Sequence, residues 1–242
     1  MVPLIQESCY LKTIFMEELL EYLNSIHPLS TSTLEYLADN LQEIEVSKKK
    51  FLLRQGRICH SIYFVKKGLL RCFYIKNEME INSWFMKEND VIIAVESFLN
   101  QTPSYENIQS LEDSVLYCID YSQLQYLYNH SLDFNFVGRV LTEKYYKLSE
   151  QRLYSLRMQK AVERYKFTCD NFPQIILRVP SKHIASYLGI TEETLSRIRA
   201  SKTKNWFLSS CHPYFLLYFY FRNPYGIIFE ISVPLLIVKP PV

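Results

Sequence analysis

The residues of this chain best suited to chemistry stand between Val179 and Lys204, in the run VPSKHIASYLGITEETLSRIRASKTK. Glu193 and Arg197 are four apart, so on a helix they share one face. Arginine gives two hydrogen bonds to the O6 and N7 of guanine, and a carboxylate accepts one from the amino group of cytosine. Thr194 and Ser196 add short donor and acceptor groups beside them. Thr191, Lys182, Arg199, Lys202 and Lys204 are of the types that hold backbone phosphates, contacts that set orientation and salt dependence rather than sequence choice. The plainer reading is a helical hairpin with a surface ion pair of about 0.2–0.5 kcal/mol. What separates the two is how the segment is built.

The run predicts two helices, over Ser181 to Leu188 and Glu192 to Arg199, with a third before them from Lys160 to Asn171. Ser181 is the expected cap of the first. Ile184, Ala185 and Leu188 make its buried edge, alanine standing where two helices approach closely. Gly189 permits a left-handed turn, Ile190 plugs the space beneath it and Thr191 caps the next helix. Leu195 and Ile198 then face inward, which turns Glu193, Ser196 and Arg197 out. This is the helix-turn-helix pattern, whose second helix enters the major groove of DNA.

Charge is distributed in support of that reading. The chain has 242 residues and a net charge of only +2. Residues 1–156 hold 15 Lys+Arg against 20 Asp+Glu, and residues 157–204 hold 10 against 4. An acidic body followed by a compact basic module suits a regulatory domain joined to a phosphate-binding one. The bland alternative is a solvated face.

Upstream, IFMEELLEYLNSI from Ile14 to Ile26 predicts a helix stopped by His27-Pro28. A second is expected over Thr33 to Asn40, capped by Thr31 or Ser32. From Ile44 to about Ile119, short β-branched and aromatic runs (SIYFVKK, LLRCFYIK, EINSWFMK, VIIAV, SVLYCID) alternate with turn residues, the texture of a β-sandwich or barrel. Gly56 and Gly68 fall where turns need positive φ, and Asn77-Glu78 and Glu88-Asn89-Asp90 are turns without glycine. Val137, Leu141, Tyr145 and Leu148, continued by Arg152 or Leu153 and Leu156, form a helical stripe. It reads either as a pairing seam between two copies or as a face packed on its own β-domain. The tail, 205–242, is aromatic and apolar and too broken by Glu230 and Pro234 for a membrane span. It reads as an aberrant extension or as a hairpin packed on the basic module.

Taken with these motifs, residues from about Thr33 to Lys202 resemble the Crp/Fnr family of bacterial transcription regulators. SIYFVKKGLLR, from Ser61 to Arg71, is similar to the family's strand-turn-strand in its cyclic-nucleotide-binding β-roll. The segments SWFM, ESFLNQTPSYE and LTEKYY resemble regulators of the Bacteroidetes branch. The resemblance implies an α+β fold. Its parts are a β-roll sensor (double-stranded, jelly-roll-like) with N-terminal helices over 1–130, a dimerisation helix over 131–156 and a winged-helix-like reader over 157–204. It also implies a homodimer, double-stranded DNA as partner and RNA polymerase as a further one. Glu193, Ser196 and Arg197 match the family's base-contacting positions. Glu192 stands where cyclic-AMP-responsive members often carry arginine.

The effector site departs from that family pattern. Relatives that bind cyclic nucleotides hold the phosphate with an Arg-Ser or Arg-Thr pair, yet no arginine or glycine occurs between Cys72 and Val137. Ser104-Tyr105 falls where the arginine should be, and a buried phosphate without a cation is poorly compensated. Cyclic AMP is therefore not expected to bind. Glu96, Ser97 and Tyr105 are the remaining polar candidates, read as structural ahead of ligand-binding.

Other classes are disfavoured. Six scattered cysteines without a CxxC pair argue against a zinc ribbon, an iron–sulfur cluster or a disulfide scaffold. No catalytic motif or metal spacing is visible, so no enzyme, metal or other cofactor is expected. Residues 1–10 lack a basic run, which leaves the cytoplasm as the expected compartment. The rival that survives is a β-roll signalling module that has lost DNA binding.

Overall fold

The computed structural model describes residues 17–206 together with 218–222 and 228–232. The chain divides into two compact units, Met1–Glu192 and Glu193–Val242. Among the described residues no helix is long and apolar enough to cross a membrane.

Two short helices open the first unit, α1 (Glu17–Ile26) and α2 (Thr31–Asn40). The cap of α2 is Ser30, not Thr31 or Ser32: its side chain accepts from the Thr33 N–H. The extended backbone that a cap requires falls one residue earlier than expected. Eight strands follow: β1 (Gln42–Val46), β2 (Phe51–Leu53), β3 (Ser61–Lys67), β4 (Leu70–Lys76), β5 (Met79–Met86), β6 (Val91–Ile92), β7 (Asn107–Ser110) and β8 (Ser114–Asp120). They make two antiparallel four-stranded sheets, in the orders β1-β8-β3-β6 and β2-β7-β4-β5. Leu70, Cys72, Ile92, Phe98, Ile108 and Leu116 fill the space within this β-roll. VIIAV is a strand only over its first two residues. Val95 opens a short helix, α3 (Val95–Asn100), which turns the chain before the next sheet.

Gly56 and Gly68 have φ of 84° and 113°. At Gly68 the constraint is also steric, because a Cβ there would meet the Ser114 Cα at 2.8 Å. Asn77 (φ 50°) and Glu78 (φ 63°) form the two-residue turn between β4 and β5, the left-handed geometry a tight hairpin favours.

Helix α4 (Tyr121–His130) leads into the long α5 (Leu132–Met158). Val137 is fully buried and Leu141 packs on the β-roll core, while the Tyr145 hydroxyl accepts from the Val91 N–H at 2.7 Å. Val137, Leu141 and Tyr145 of the stripe thus pack on their own β-roll, whereas Leu153 and Leu156 at its far end are exposed. Phe136, Tyr146 and Tyr154 of α5 are exposed as well.

Helices α6 (Ala161–Asn171), α7 (Pro173–Arg178) and α8 (Ser181–Leu188) complete the first unit. The turn of helix from Pro173 was not expected. Proline at its first position loses no hydrogen bond and presets φ, which is how the segment becomes helical. Helix α9 (Glu192–Trp206) is about twice the expected length, because nothing in SKTKN breaks it. In the tail, β9 (Tyr218–Arg222) and β10 (Ile228–Ser232) pair antiparallel. The other tail residues, and with them the choice between an aberrant extension and a packed hairpin, lie outside the described residues.

Candidate nucleic-acid interface

Each carbonyl left over at the C-terminal end of α8 has a partner. Gly189 adopts φ 65° and ψ 40°, the left-handed conformation. The Ile190 N–H then reaches the Ala185 carbonyl at 3.0 Å and the Gly189 N–H reaches that of Ser186 at 3.1 Å, the paired bonds of a Schellman ending. The last two carbonyls are met from other helices. Arg152 of α5 donates to Tyr187 O at 2.6 Å, and Arg164 of α6 donates through Nε to Leu188 O at 2.9 Å. An unmet carbonyl at a buried helix end costs about 1–3 kcal/mol, so two arginines fixed here make the turn rigid. Neither arginine is recognisable as a cap from spacing alone; a cation inside an otherwise apolar stripe is the one sign of Arg152.

At its other end α8 is capped by the Pro180 backbone, with Ser181 as first helical residue instead of cap. Proline at the cap leaves the serine side chain one position too late to close the first turn. Ile184, Ala185 and Leu188 are buried as expected, and Lys182 is exposed.

In α9, Leu195 and Ile198 are buried, whereas Glu193, Ser196 and Arg197 are exposed. Thr194 and Arg199 are half-buried, and Arg197 donates to the Thr194 hydroxyl at 3.3 Å. Thr191 is exposed just ahead of the helix. Lys202 and Lys204 fall on its helical backbone, and their side chains lie outside the described residues. The alternation leaves one polar face with a carboxylate, a hydroxyl and a guanidinium, groups able to meet base edges.

The expected effector residues are engaged within the protein. Ser97 is buried, accepting from the Cys59 N–H at 2.9 Å and donating to Thr102 O. Tyr105 stacks obliquely on Tyr74, ring centres 5.7 Å apart, and its hydroxyl is pushed up to about 12, first by its hydrogen bond to Glu96. Glu106, which the sequence reading passed over, accepts from the Tyr74 hydroxyl at 2.8 Å. Burial raises its carboxyl, with Glu96 adding to the rise. The Glu96 and Glu106 carboxyls and the Tyr74 and Tyr105 hydroxyls thus face one another, and their mutual repulsion disfavours a further anion among them.

Residues 43–131 match the family model of the cyclic nucleotide-binding domain. FixK2 from Bradyrhizobium japonicum is similar over 69% of this chain and 86% of its own, with 19% identity and a TM-score of 0.58. A protein described as a transcriptional regulator of the Crp/Fnr family, from Eubacterium rectale, is similar over 73% and 85%, with 17% identity and a TM-score of 0.59. A CooA variant from Carboxydothermus hydrogenoformans is similar over 77% and 84%, with 22% identity and a TM-score of 0.58. Among curated proteins none is significantly similar in sequence. Residues 43–131 are thus similar to the cyclic nucleotide-binding domain, and the chain has a fold like that of the Crp/Fnr regulators.

Proposed function

We propose that this protein is a dimeric, sequence-specific DNA-binding transcription regulator that acts in the cytoplasm and answers a signal other than cyclic AMP. The observation that carries the reading is the left-handed, fully capped turn at Gly189, followed by a helix whose outward residues are Glu193, Ser196 and Arg197. Arg197 and Glu193 read base edges, with Ser196 and Thr194 supporting them. Thr191, Lys182, Arg199, Lys202 and Lys204 hold phosphates and set the register. Two copies pair through the exposed face of α5 that holds Phe136, Tyr146 and Leu153, so that two reader helices meet half-sites one DNA turn apart. RNA polymerase is the partner through which such a protein would act.

The β-roll acts as the sensor without catalysing a reaction. Motion of α5 reaches the reader through Arg152, which spans from that helix to the α8 carbonyl. The domain limits that go with this reading are 1–130, 131–156 and 157–204. The deciding experiment selects bound sequences from a random DNA pool. Enrichment of a two-fold related motif supports the reading. Retention of no sequence above background, even at low salt, would leave a signalling module without DNA binding.

A further inference from the structure

The first unit holds a feature that a freely swinging reader would not need: the β-roll grips α7 and α8 at two separate points. At the first, Arg178 makes paired bonds to two carboxylates. Nη1 and Nη2 meet Glu88 at 2.7 and 2.9 Å, while Nη2 and Nε meet Glu112 at 2.6 and 3.1 Å. Glu88 sits in the turn after β5 and Glu112 in the turn after β7. Forked pairs of this geometry are the strong form of an ion pair.

At the second point α8 closes an open sheet edge. β5 is an edge strand of its sheet, paired only with β4, so its outer N–H and C=O groups lack a strand partner. Ser186 supplies both roles: its hydroxyl accepts from the Asn82 N–H at 2.9 Å and donates to Glu80 O at 2.9 Å. Beside it Arg71, only 4% exposed, donates to Glu80, Asn82 and Gln109 and meets His183 Nδ1 at 3.0 Å. Unpaired edge groups are costly when buried and sticky when bare, so a helix that covers them is held there.

We propose that this two-point docking is an autoinhibitory contact, in which carboxylates in the turns of the β-roll compete with DNA phosphates for the reader segment. The inference rests on the reading of α8 and α9 as the DNA-binding pair. In such a pair the first helix crosses the phosphate backbone. Here Arg178 is neutralised by two carboxylates, Glu80 lies near enough to Lys182 to be influenced by it, His183 is spent on Arg71 of β4 and Ser186 on β5. A duplex must displace these contacts or find α8 already released. A signal that loosens the β4–β5 hairpin or the Glu88 and Glu112 turns would therefore raise DNA affinity.

The test alters the β-roll side and leaves the reader's own cations intact. In full-length protein, Glu112→Gln and Glu112→Arg are compared with Glu35→Arg, which changes charge on the exposed face of α2. Amide exchange at Asn82 reports the docking, and affinity for a non-specific duplex at low salt reports the reader. Exchange and affinity are expected to rise in the order wild type, Glu112→Gln, Glu112→Arg, by about fivefold or more at the last step. Glu35→Arg is expected to leave exchange unchanged and to gain less affinity than Glu112→Arg. Unchanged Asn82 exchange overturns the docking, and faster exchange without tighter DNA binding overturns its inhibitory role. If no protein in the series binds DNA, the reader assignment fails and exchange alone decides the contact.

Discussion

Arg152 meets Tyr187 twice: it donates to the Tyr187 carbonyl at 2.6 Å and lays its guanidinium over the same residue's ring at 3.5 Å. One side chain of the long helix thereby fixes both the backbone and the side chain of the next-to-last residue of α8. Arg152→Met removes the donor and leaves that carbonyl unmet, with an expected loss of about 1–3 kcal/mol of unfolding free energy in urea titration. Arg152→Lys keeps the charge but lacks the planar fork, and is expected to fall between the two. Equal stability of all three would show the contact to be incidental.

Base reading and phosphate holding predict different defects. On a sequence selected from a DNA pool, Arg197→Ala is expected to lose about 1–3 kcal/mol of binding and to relax preference at one base position. Lys182→Ala is expected to weaken every sequence alike and to lower the salt slope by about one. Competition binding with single-base variants of the site distinguishes these. Uniform weakening by Arg197→Ala would place that residue among the phosphate contacts.

Cyclic AMP is expected to produce no saturable heat in calorimetric titration at micromolar concentrations. The physical ground is the surroundings of Glu96, Tyr105 and Glu106, where burial and neighbouring carboxyls favour neutral or cationic occupants. Saturable micromolar binding would show that the phosphate finds a cation elsewhere.

Acid is expected to loosen the docking of α7 and α8 on the β-roll. Burial pushes the Glu88 carboxyl up, but hydrogen bonds from Arg178 and the Gly68 N–H bring it down to about 2, below its ordinary 4.5. Its contribution is complete above about pH 4.5 and is lost as pH falls towards about 2. His183 is lowered from 6.5, first by burial and then by Arg71 and Lys182, with Glu80 opposing. The docked form therefore prefers neutral imidazole, and its advantage declines as pH falls below about 6.5. Asn82 exchange, corrected for its intrinsic pH dependence, should accelerate over that upper range in the wild type and not in His183→Gln.

Gly68→Ala is expected to destabilise the β-roll by about 2 kcal/mol or more, through left-handed strain and collision with the Ser114 backbone. Gly56→Ala carries a φ of 84° with nothing within 4 Å of the new Cβ, so the strain alone remains and the loss is smaller. Thermal unfolding of the two variants ranks them. Equal losses would mean that Ser114 moves aside freely.

Much of the architecture is legible in the chain because it depends on local chemistry. Gly56, Gly68 and Gly189 mark left-handed turns, and the Asn77-Glu78 hairpin needs no glycine. The limits of α8 follow from Pro180 at one end and Gly189 at the other. The short helices α3 and α7 are less visible, since six residues show too little periodicity and VIIAV reads as strand from composition. The α5 stripe is legible as a stripe, but a 3.6-residue period does not say which surface it meets. Val137, Leu141 and Tyr145 meet their own β-roll, and the face with Phe136 and Tyr146 is left exposed.

Sequence alone determined that Glu193, Ser196 and Arg197 share one outward face, because helix periodicity and a turn glycine place them together without reference to anything distant. It also determined that no arginine occurs between Cys72 and Val137, which is a matter of composition. Only the tertiary structure decided that Arg152 and Arg164 cap α8, and that Arg178 joins Glu88 to Glu112. These partners are separated by 24 to 90 residues, and their meeting depends on sheet order and the path of α5. Hydrogen bonds between such distant groups leave no periodic trace in a sequence, since the residue type of one partner does not reveal the other.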